Sequence, residues 1–493
     1  MKSKSVDIPL TISILDRLNR GDYSDKPVTV STLPTPEDRA IVDCSGEIRY
    51  SIKKNRAAAA LGNLGLSIHP ADFGSISGDE LSFDSIGLEN LGIRLAPLLS
   101  YGVLNGGSAT SYADTLKNKA LDPELFEYYG KVLSRYSGSL QNAAKGLTPA
   151  FVQPDQTPGP AFMELKMRAL LLGGVSGGGL GDLAPYLPMY QMTSMSNNDS
   201  IAAAYAEYRN SPLIAGLNGG GRGDVTAVET AIQPLITAYE KMESEWAIFS
   251  KAFGREKSVL PLPGGHGQCF ITLKPVFEHL HGMGKRFVLL GNVDNIGNMP
   301  KPAHLAIMAL SGAPAGFEFS YRTPVDIKGG VLVRDKTGRL TCADIGPAID
   351  TDEVLKAEKE GAKVLFNCAT GLFSLDFLME NIDRIVSSIP LRVSKQEKDA
   401  GAYHQAEQIT WEIISLLDNP LIFGVKKSER FLAAKLFTEN LLTSGIGLDD
   451  PQFPAGPELK ETARVLHEGQ EKLLESVYGL ELRGNRWVPK NKK

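Results

Sequence analysis

Cysteine is scarce in this sequence. The four present (Cys44, Cys269, Cys342 and Cys368) lie far apart and form no CxxC pair. That excludes a disulfide scaffold and leaves no clustered thiolates for structural zinc. There is no run of about 18 apolar residues, so nothing reads as a membrane span. There is no excess of positive charge either. Lys plus Arg is 52 against 57 for Asp plus Glu, a net charge of −5, which argues against a protein that coats nucleic acid. No internal repeat of about 20–50 residues is visible. The opening MKSKSVDIPLTISILDRLNRGD has an apolar stretch broken by Asp7, Asp16 and Arg17. It is too short for a secretory h-region, so the expectation is a cytoplasmic protein with reduced thiols.

What is present is ordinary for a folded chain: 42% hydrophobic and 22% charged residues over 493 positions. At roughly 150 residues per unit, about three structural units are expected. With 50 Gly and 29 Pro, many loops are expected.

Apolar runs at Gly102–Leu104, Tyr190–Met192, Phe287–Leu290, Gly330–Val333 and Lys363–Phe366 read as buried strands. Between them, Met163–Leu172, Ser200–Arg209 and Thr226–Phe253 read as amphipathic helices. Ile8–Leu18, Asn55–Leu66, 396–418 and 457–479 are further helical segments. Strands alternating with helices predict an α/β fold with a mainly parallel sheet. In such sheets ligands sit at the carboxyl ends of the strands. The stretch 173–184, GGVSGGGLGDLA, reads as a linker or a phosphate-cradling loop, and no Gly-Lys-Ser/Thr completes a P-loop.

Several strands run directly into polar loops. YGVLNGGSATSY (101–112) reads as a hairpin at Asn105–Gly106 or as a backbone cradle for a phosphate or base. MTSMSNNDS (192–200), PGGHGQ (263–268), FVLLGNVDNIG (287–297), IKGGV (327–331) and VLFNCAT (364–370) follow in order. Asp294, just past a buried strand, is suited to hold Mg²⁺ through one carboxylate, or to serve as a turn or cap residue.

This ordered set resembles the UDP-sugar pyrophosphorylase superfamily, the UTP–glucose-1-phosphate uridylyltransferase type. The family's L-N-G-G loop is similar to Leu104-Asn105-Gly106-Gly107, and its M-N-S-F-N-T segment to Met192–Asn197. P-P-G-H-G resembles Pro263–Gly267, S-N-x-D-N-L-G resembles Gly291–Gly297, and K-G-G resembles Lys328-Gly329-Gly330. F-N-T-N resembles Phe366–Ala369, and P-R-S-R-F-L-P-V-K is echoed by Lys427–Lys435. The likeness covers roughly residues 100–440. Ala109 stands where the family has Gly. The second half of the signature, P-K-G-L-x-P, resembles Ala144–Pro149, which nominates Lys145, with Lys117 and Lys119 as competitors. The last ~50 residues lack the family's hexapeptide periodicity.

The resemblance implies a Rossmann-like, glycosyltransferase-A-like α/β nucleotidyltransferase fold. A helical and loop lead-in would occupy 1–95, the catalytic unit 96–440, and a C-terminal helix and tail 441–493. It implies uridylyl transfer from UTP to a sugar 1-phosphate, glucose 1-phosphate foremost. An N-acetylhexosamine or broad-specificity enzyme is one alternative, and a sugar-nucleotide binding protein without turnover is another. By the same resemblance Lys145, Lys435 and His266 would act on phosphates. Leu104, Asn105, Gly106, Gly107, Gln233, Gly265 and Asp294 would hold the nucleotide, with Mg²⁺ on Asp294. His266, Asn295, Lys328, Gly329 and Asn367 would hold the sugar phosphate. Each has a plain structural reading too: Lys435 and Gln233 as helix-surface residues, His266 as a turn residue, and Lys328 as strand-edge protection. No nucleic-acid or membrane partner is expected.

Overall fold

The computed structural model describes residues 5–35, 37–109, 112, 114–140, 143–173, 187–217 and 224–490. An eight-strand path forms its spine: β1 (Ile41–Asp43), β2 (Leu99–Leu104), β3 (Met189–Ser194), β4 (Glu229–Gln233), β5 (Phe287–Asn292), β6 (Ala315–Tyr321), β7 (Leu365–Ser374) and β8 (Leu421–Val425). Their spatial order is β1-β8-β6-β7-β5-β2-β3-β4. Every neighbouring pair is parallel except the two made by β7. The expected mixed, mainly parallel sheet is therefore present, and four of the five apolar runs read as strands lie in strands, while Lys363–Phe366 overlaps β7 only at Leu365 and Phe366. The Gly330–Asp335/Leu340–Asp344 hairpin hangs from the sheet through Val331 opposite Phe366.

Strand alternation divides the core between the two faces. On β2 and β5, Tyr101, Val103, Phe287 and Leu289 enter one cluster, while Leu104, Val288 and Leu290 enter the other. Helices cover both faces. α1 (Phe162–Leu171) and α2 (Pro302–Ser311) pack into the first cluster, α3 (Leu375–Ser388) into the second. α2 is apolar apart from His304 and Ser311, and all ten of its residues are buried. It sits tightly against Ser85–Leu95, where a Cβ on Gly92 would lie 2.0 Å from the Pro302 carbonyl oxygen. α4 (Pro457–Ser476) is the expected C-terminal helix, followed by a hairpin of Leu480–Arg483 and Arg486–Pro489.

Ile8–Asn19 and Lys54–Asn63 are helical as expected, but the lead-in also supplies strands, including β1 of the main sheet. Two helix expectations fail. Residues 226–253 form β4 and three short strands, and 396–418 form a hairpin (Arg392–Lys398, Gly401–Glu407) followed by a 3₁₀ segment at Thr410–Leu416. The first run alternates Thr226, Val228, Thr230 and Ile232 and is broken by Pro234, a strand pattern. In the second, Gly401 at φ +109° supplies the turn that sends the chain back along its partner. Among 173–184 only Gly173 is described, so the reading of that Gly-rich stretch lies outside the described residues. Among the described residues no helix is long and apolar enough to cross a membrane.

Candidate active site

Because β5, β2, β3 and β4 run parallel, their carboxyl ends leave the sheet on one edge. Asn292 stands opposite Leu104, Leu104 opposite Met192, and Ser194 opposite Gln233. Antiparallel β7 brings its opposite end to the same edge, since Thr370 faces Gly291. Loops distant in sequence therefore open into one cleft with two chambers.

The upper chamber, about 870 Å³, is lined by Leu104, Gly106, Gly107, Ser108, Lys145, Met192, Met195, Gln233 and Gly265. The lower, about 570 Å³, is lined by Gly329, Gly330, Cys342, Asp344, Asn367, Ala369, Arg392, Trp411, Glu412 and Lys435. His266, Asn292, Asp294 and Glu407 line both and mark the junction. One end of the cleft is thus glycine-rich backbone. The other carries charged and amide side chains among apolar ones, and the two meet at Asp294, Glu407 and His266.

Lys145 is held at the junction by three contacts. Its Nζ donates to the Ala434 carbonyl at 2.7 Å, pairs with Asp294 Oδ2 at 3.6 Å and lies 4.1 Å over the Tyr112 ring. Burial lowers its pKa and the Asp294 charge opposes that fall. Gly146 beside it has no room for a side chain, because a Cβ would meet Asn105 Oδ1 at 2.3 Å. Lys117 and Lys119 are exposed on Thr115–Leu121 and line neither chamber. Geometry therefore favours Lys145 over its two competitors.

The Lys435 segment is docked on the Asp294 turn. Asn295 Nδ2 donates to the Arg430 carbonyl at 2.8 Å, and its Oδ1 accepts from Leu432 N at 3.1 Å and Gly297 N at 2.9 Å. All these bonds are internal and Asn295 is fully buried, so it braces the site and offers nothing to a ligand. Lys435 itself is exposed, with Nζ 5.7 Å from the Phe366 ring centre on the lower chamber wall.

Asn105 is likewise a brace. Its side chain is buried, donating to Gln191 Oε1 at 3.0 Å and Tyr205 Oη at 3.3 Å, while Asn197 Nδ2 donates to its carbonyl. The following glycines, not Asn105, face the cleft. Lys328 too lies outside the cleft. It lines a separate, mostly apolar cavity of about 140 Å³, although neighbouring Gly329 reaches the lower chamber. Asn367 does line the chamber, and its Oδ1 accepts from Ala369 N at 2.8 Å, steadying a residue held at φ +50°.

His266 rests against the 3₁₀ segment. Thr410 N donates to Nδ1 at 3.2 Å and Thr410 Oγ1 donates to the His266 carbonyl at 2.9 Å. Since Nδ1 accepts, the proton belongs on Nε2, leaving a neutral N–H donor. His266 is exposed at the cleft, and the protein around it lowers its pKa from 6.5 to about 4. The loop needs glycine beside it: Gly265 has φ +79°, and a Cβ there would lie 2.4 Å from the Gln408 carbonyl oxygen. Gln233 Nε2 donates to the Gly265 carbonyl at 2.7 Å and to Gln268 Oε1 at 2.8 Å, leaving Gln233 Oε1 as an acceptor at the chamber wall.

Several functional-site residues escaped sequence reasoning. Glu407, whose carboxyl is pushed up by burial, lies at the junction. Glu412 and Arg392 form an ion pair on the lower wall. All three lie on the hairpin and 3₁₀ segment around the misread 396–418 stretch. A helix assignment scatters them, whereas an alternating reading of 401–407 would have aligned Glu407 with the cleft. Beneath the turn lies Lys166, hidden in the apolar run of α1.

Among the described residues no three His, Cys, Asp or Glu side chains cluster as a metal cage. The junction offers the carboxylates of Asp294 and Glu407, with Asp344 and Glu412 further along the lower chamber and open space before Asp294. That fits a cation such as Mg²⁺ that arrives largely on phosphate oxygens.

Residues 225–445 match the family model described as UTP–glucose-1-phosphate uridylyltransferase. Among curated relatives, the UTP–glucose-1-phosphate uridylyltransferase of Hordeum vulgare is 24% identical over 224 residues, covering 41% of this chain and 46% of that one. That of Solanum tuberosum is 24% identical over 240 residues, covering 44% and 49%. The matched region is thus about half the length of these relatives. A solved Trypanosoma brucei UDP-glucose phosphorylase aligns over 90% of this chain and 76% of its own, with TM-score 0.56 and 14% identity. The T. brucei uridine diphosphate N-acetylglucosamine pyrophosphorylase aligns over 91% and 84%, with TM-score 0.54 and 14% identity. At such identity the structures speak for the fold alone.

Proposed function

We propose that this chain, grouped with the UDP-sugar pyrophosphorylases by its sequence over residues 225–445 and by its fold, transfers uridylyl from UTP to a hexose 1-phosphate. Glucose 1-phosphate is the foremost acceptor, and UDP-glucose and pyrophosphate are the products. Residues 96–440 are the proposed catalytic unit and the cytoplasm the proposed compartment. The observation that carries the reading is the junction: Lys145 on one side and Lys435 on the other, with Asp294 and His266 shared by both chambers.

A phosphate monoester has its second pKa near ~6, so the sugar phosphate is already mostly ionised at neutral pH and needs no general base. The barrier is the approach of two polyanions. Two like unit charges at 4 Å repel by ~4 kcal/mol at an effective dielectric of ~20. The residues therefore have to orient and neutralise. In this reading the backbone at 106–108 and Gly265 faces the base and phosphates, and Gln233 Oε1 accepts from the uracil imide N–H. His266 Nε2–H and Lys435 hold the sugar phosphate so that its oxygen meets the α-phosphorus in line as pyrophosphate leaves. Lys145 offsets charge on the triphosphate. Bound at Asp294, a Mg²⁺ ion would supply the remaining neutralisation. Asn367 and Gly329 contact sugar hydroxyls.

The test is pyrophosphate release from UTP, Mg²⁺ and a panel of sugar 1-phosphates. Release with glucose 1-phosphate above all others supports the assignment. Preference for N-acetylglucosamine 1-phosphate moves it to the N-acetylhexosamine branch. UDP-sugar binding without turnover of any sugar phosphate refutes the enzyme and leaves a binding protein.

A further inference from the structure

Lys166 is a lysine where helix geometry gives water no access. It lies on α1 among Phe162, Leu165, Met167 and Leu170, and its relative exposure is 0%. Its ammonium passes under the sheet edge. Nζ donates to the Asn295 carbonyl at 2.8 Å and leans on the Asn298 carbonyl at 3.4 Å. The Tyr101 ring lies 5.8 Å away, and the Tyr101 hydroxyl donates to the same Asn298 carbonyl at 2.7 Å. A buried amine costs several kcal/mol unless it is fully employed, so a methionine would fill this place more cheaply if packing were all. The carbonyls it serves belong to the turn that begins at Asp294. That turn is irregular, held by a single bridge between Asn295 and Ala433 and a few turn bonds, and its buried carbonyls need further donors.

We propose that Lys166 is the positioning residue for Asp294: it ties the Asn295 and Asn298 carbonyls from below and so fixes the carboxylate at the junction of the chambers. This deepens the pyrophosphorylase reading and rests on it. Lys145 meets Asp294 from the cleft side at 3.6 Å, and Lys166 anchors the next residue from the core side. Outer partners of this kind typically set metal affinity or activity by about 10–100-fold.

The experiment compares Lys166→Met, which keeps length and volume but donates nothing, with Lys166→Gln, which restores an N–H donor without charge. Kinetics and calorimetric UTP binding with and without Mg²⁺ are measured on the full chain, with thermal melts alongside. For Lys166→Met the expectation is a kcat at least tenfold below wild type, UTP affinity without Mg²⁺ within threefold, and about a tenfold loss of the tightening that Mg²⁺ brings. Lys166→Gln should recover part of both losses. A Met variant that folds and keeps kcat and the Mg²⁺ effect within threefold overturns the proposal. So does a pair of variants with equal losses in every constant, which marks general destabilisation. If the Met variant does not fold, a Gln variant with the wild-type Mg²⁺ effect supports the donor role, and one with a tenfold loss of it refutes that role. A wild-type protein that turns over no sugar phosphate defeats the pyrophosphorylase reading instead, a result separate from any Lys166 outcome.

Discussion

Asp294→Asn is the sharpest perturbation of the junction, because it changes charge while keeping shape. Its structural cost is bounded by the Lys145 pair. At 3.6 Å and an effective dielectric of ~20, the gross attraction is about 4.6 kcal/mol. Much of that is recovered, since asparagine keeps an oxygen in place, Lys145 still donates to Ala434, and the cleft admits water. A net loss of roughly 1–2 kcal/mol is expected, a shift of about 1–2 °C for a chain of this size. The catalytic cost is larger, because neutralisation at the α-phosphate matters most as charge moves. Removing one preorganised electrostatic partner costs about 100–1,000-fold in kcat. Pyrophosphate release at saturating UTP, Mg²⁺ and sugar phosphate, with a parallel melt, reads both quantities. A folded Asp294→Asn protein with kcat within about threefold of wild type would show that the metal and phosphate chemistry sits elsewhere.

Lys435→Ala should cut kcat/KM for the sugar phosphate by about tenfold or more, as expected for a lost charge-assisted contact. Lys328→Ala and Lys117→Ala should stay within about twofold, and steady-state kinetics on the three variants ranks them. Gly265→Ala should damage function more than stability, because a side chain at φ +79° that collides with the Gln408 carbonyl swings His266 away from the junction. A wild-type KM for both substrates would contradict that. Glu318 lies in a buried network with Arg430 and His304. Burial alone would raise its pKa, but the Arg430 guanidinium and His304 outweigh it and hold it at about 2. Glu318→Gln should therefore cost roughly 3–5 kcal/mol near neutral pH by leaving Arg430 uncompensated. Because the folded pKa is depressed, the unfolded chain binds more protons between about pH 4.5 and 2. The wild-type advantage should be full above that window and shrink as pH falls through it, which denaturant melts across pH 2–7 would measure.

What the sequence made legible follows from what is local. Buried strands announce themselves as apolar runs, and a strand that stops at Asn292 or Leu104 before a polar loop marks the carboxyl edge where parallel strands converge. Side-chain direction is not local. Asn105 and Asn295 stand in the loops that form the cleft, yet the chain spends their amides on Gln191, Tyr205, Arg430 and Leu432. A loop that must hold its shape around a ligand needs internal hydrogen bonds first, and the residues best suited to make them are the same short amides that look like ligands in the sequence. Lys166 is the converse case. A lysine on a helix ordinarily reads as a solvated surface charge, and only the packing of α1 under the 295–298 turn buries it and brings it to the Asn295 carbonyl. Glu407 and Glu412 were obscured for a third reason: pairing across the Arg392–Glu407 hairpin overrode a helix-like pattern over 396–418, and with the period wrong the side-chain directions there were wrong too. The site is therefore readable where function depends on backbone placed by strand ends, and opaque where it depends on which of two faces a side chain takes.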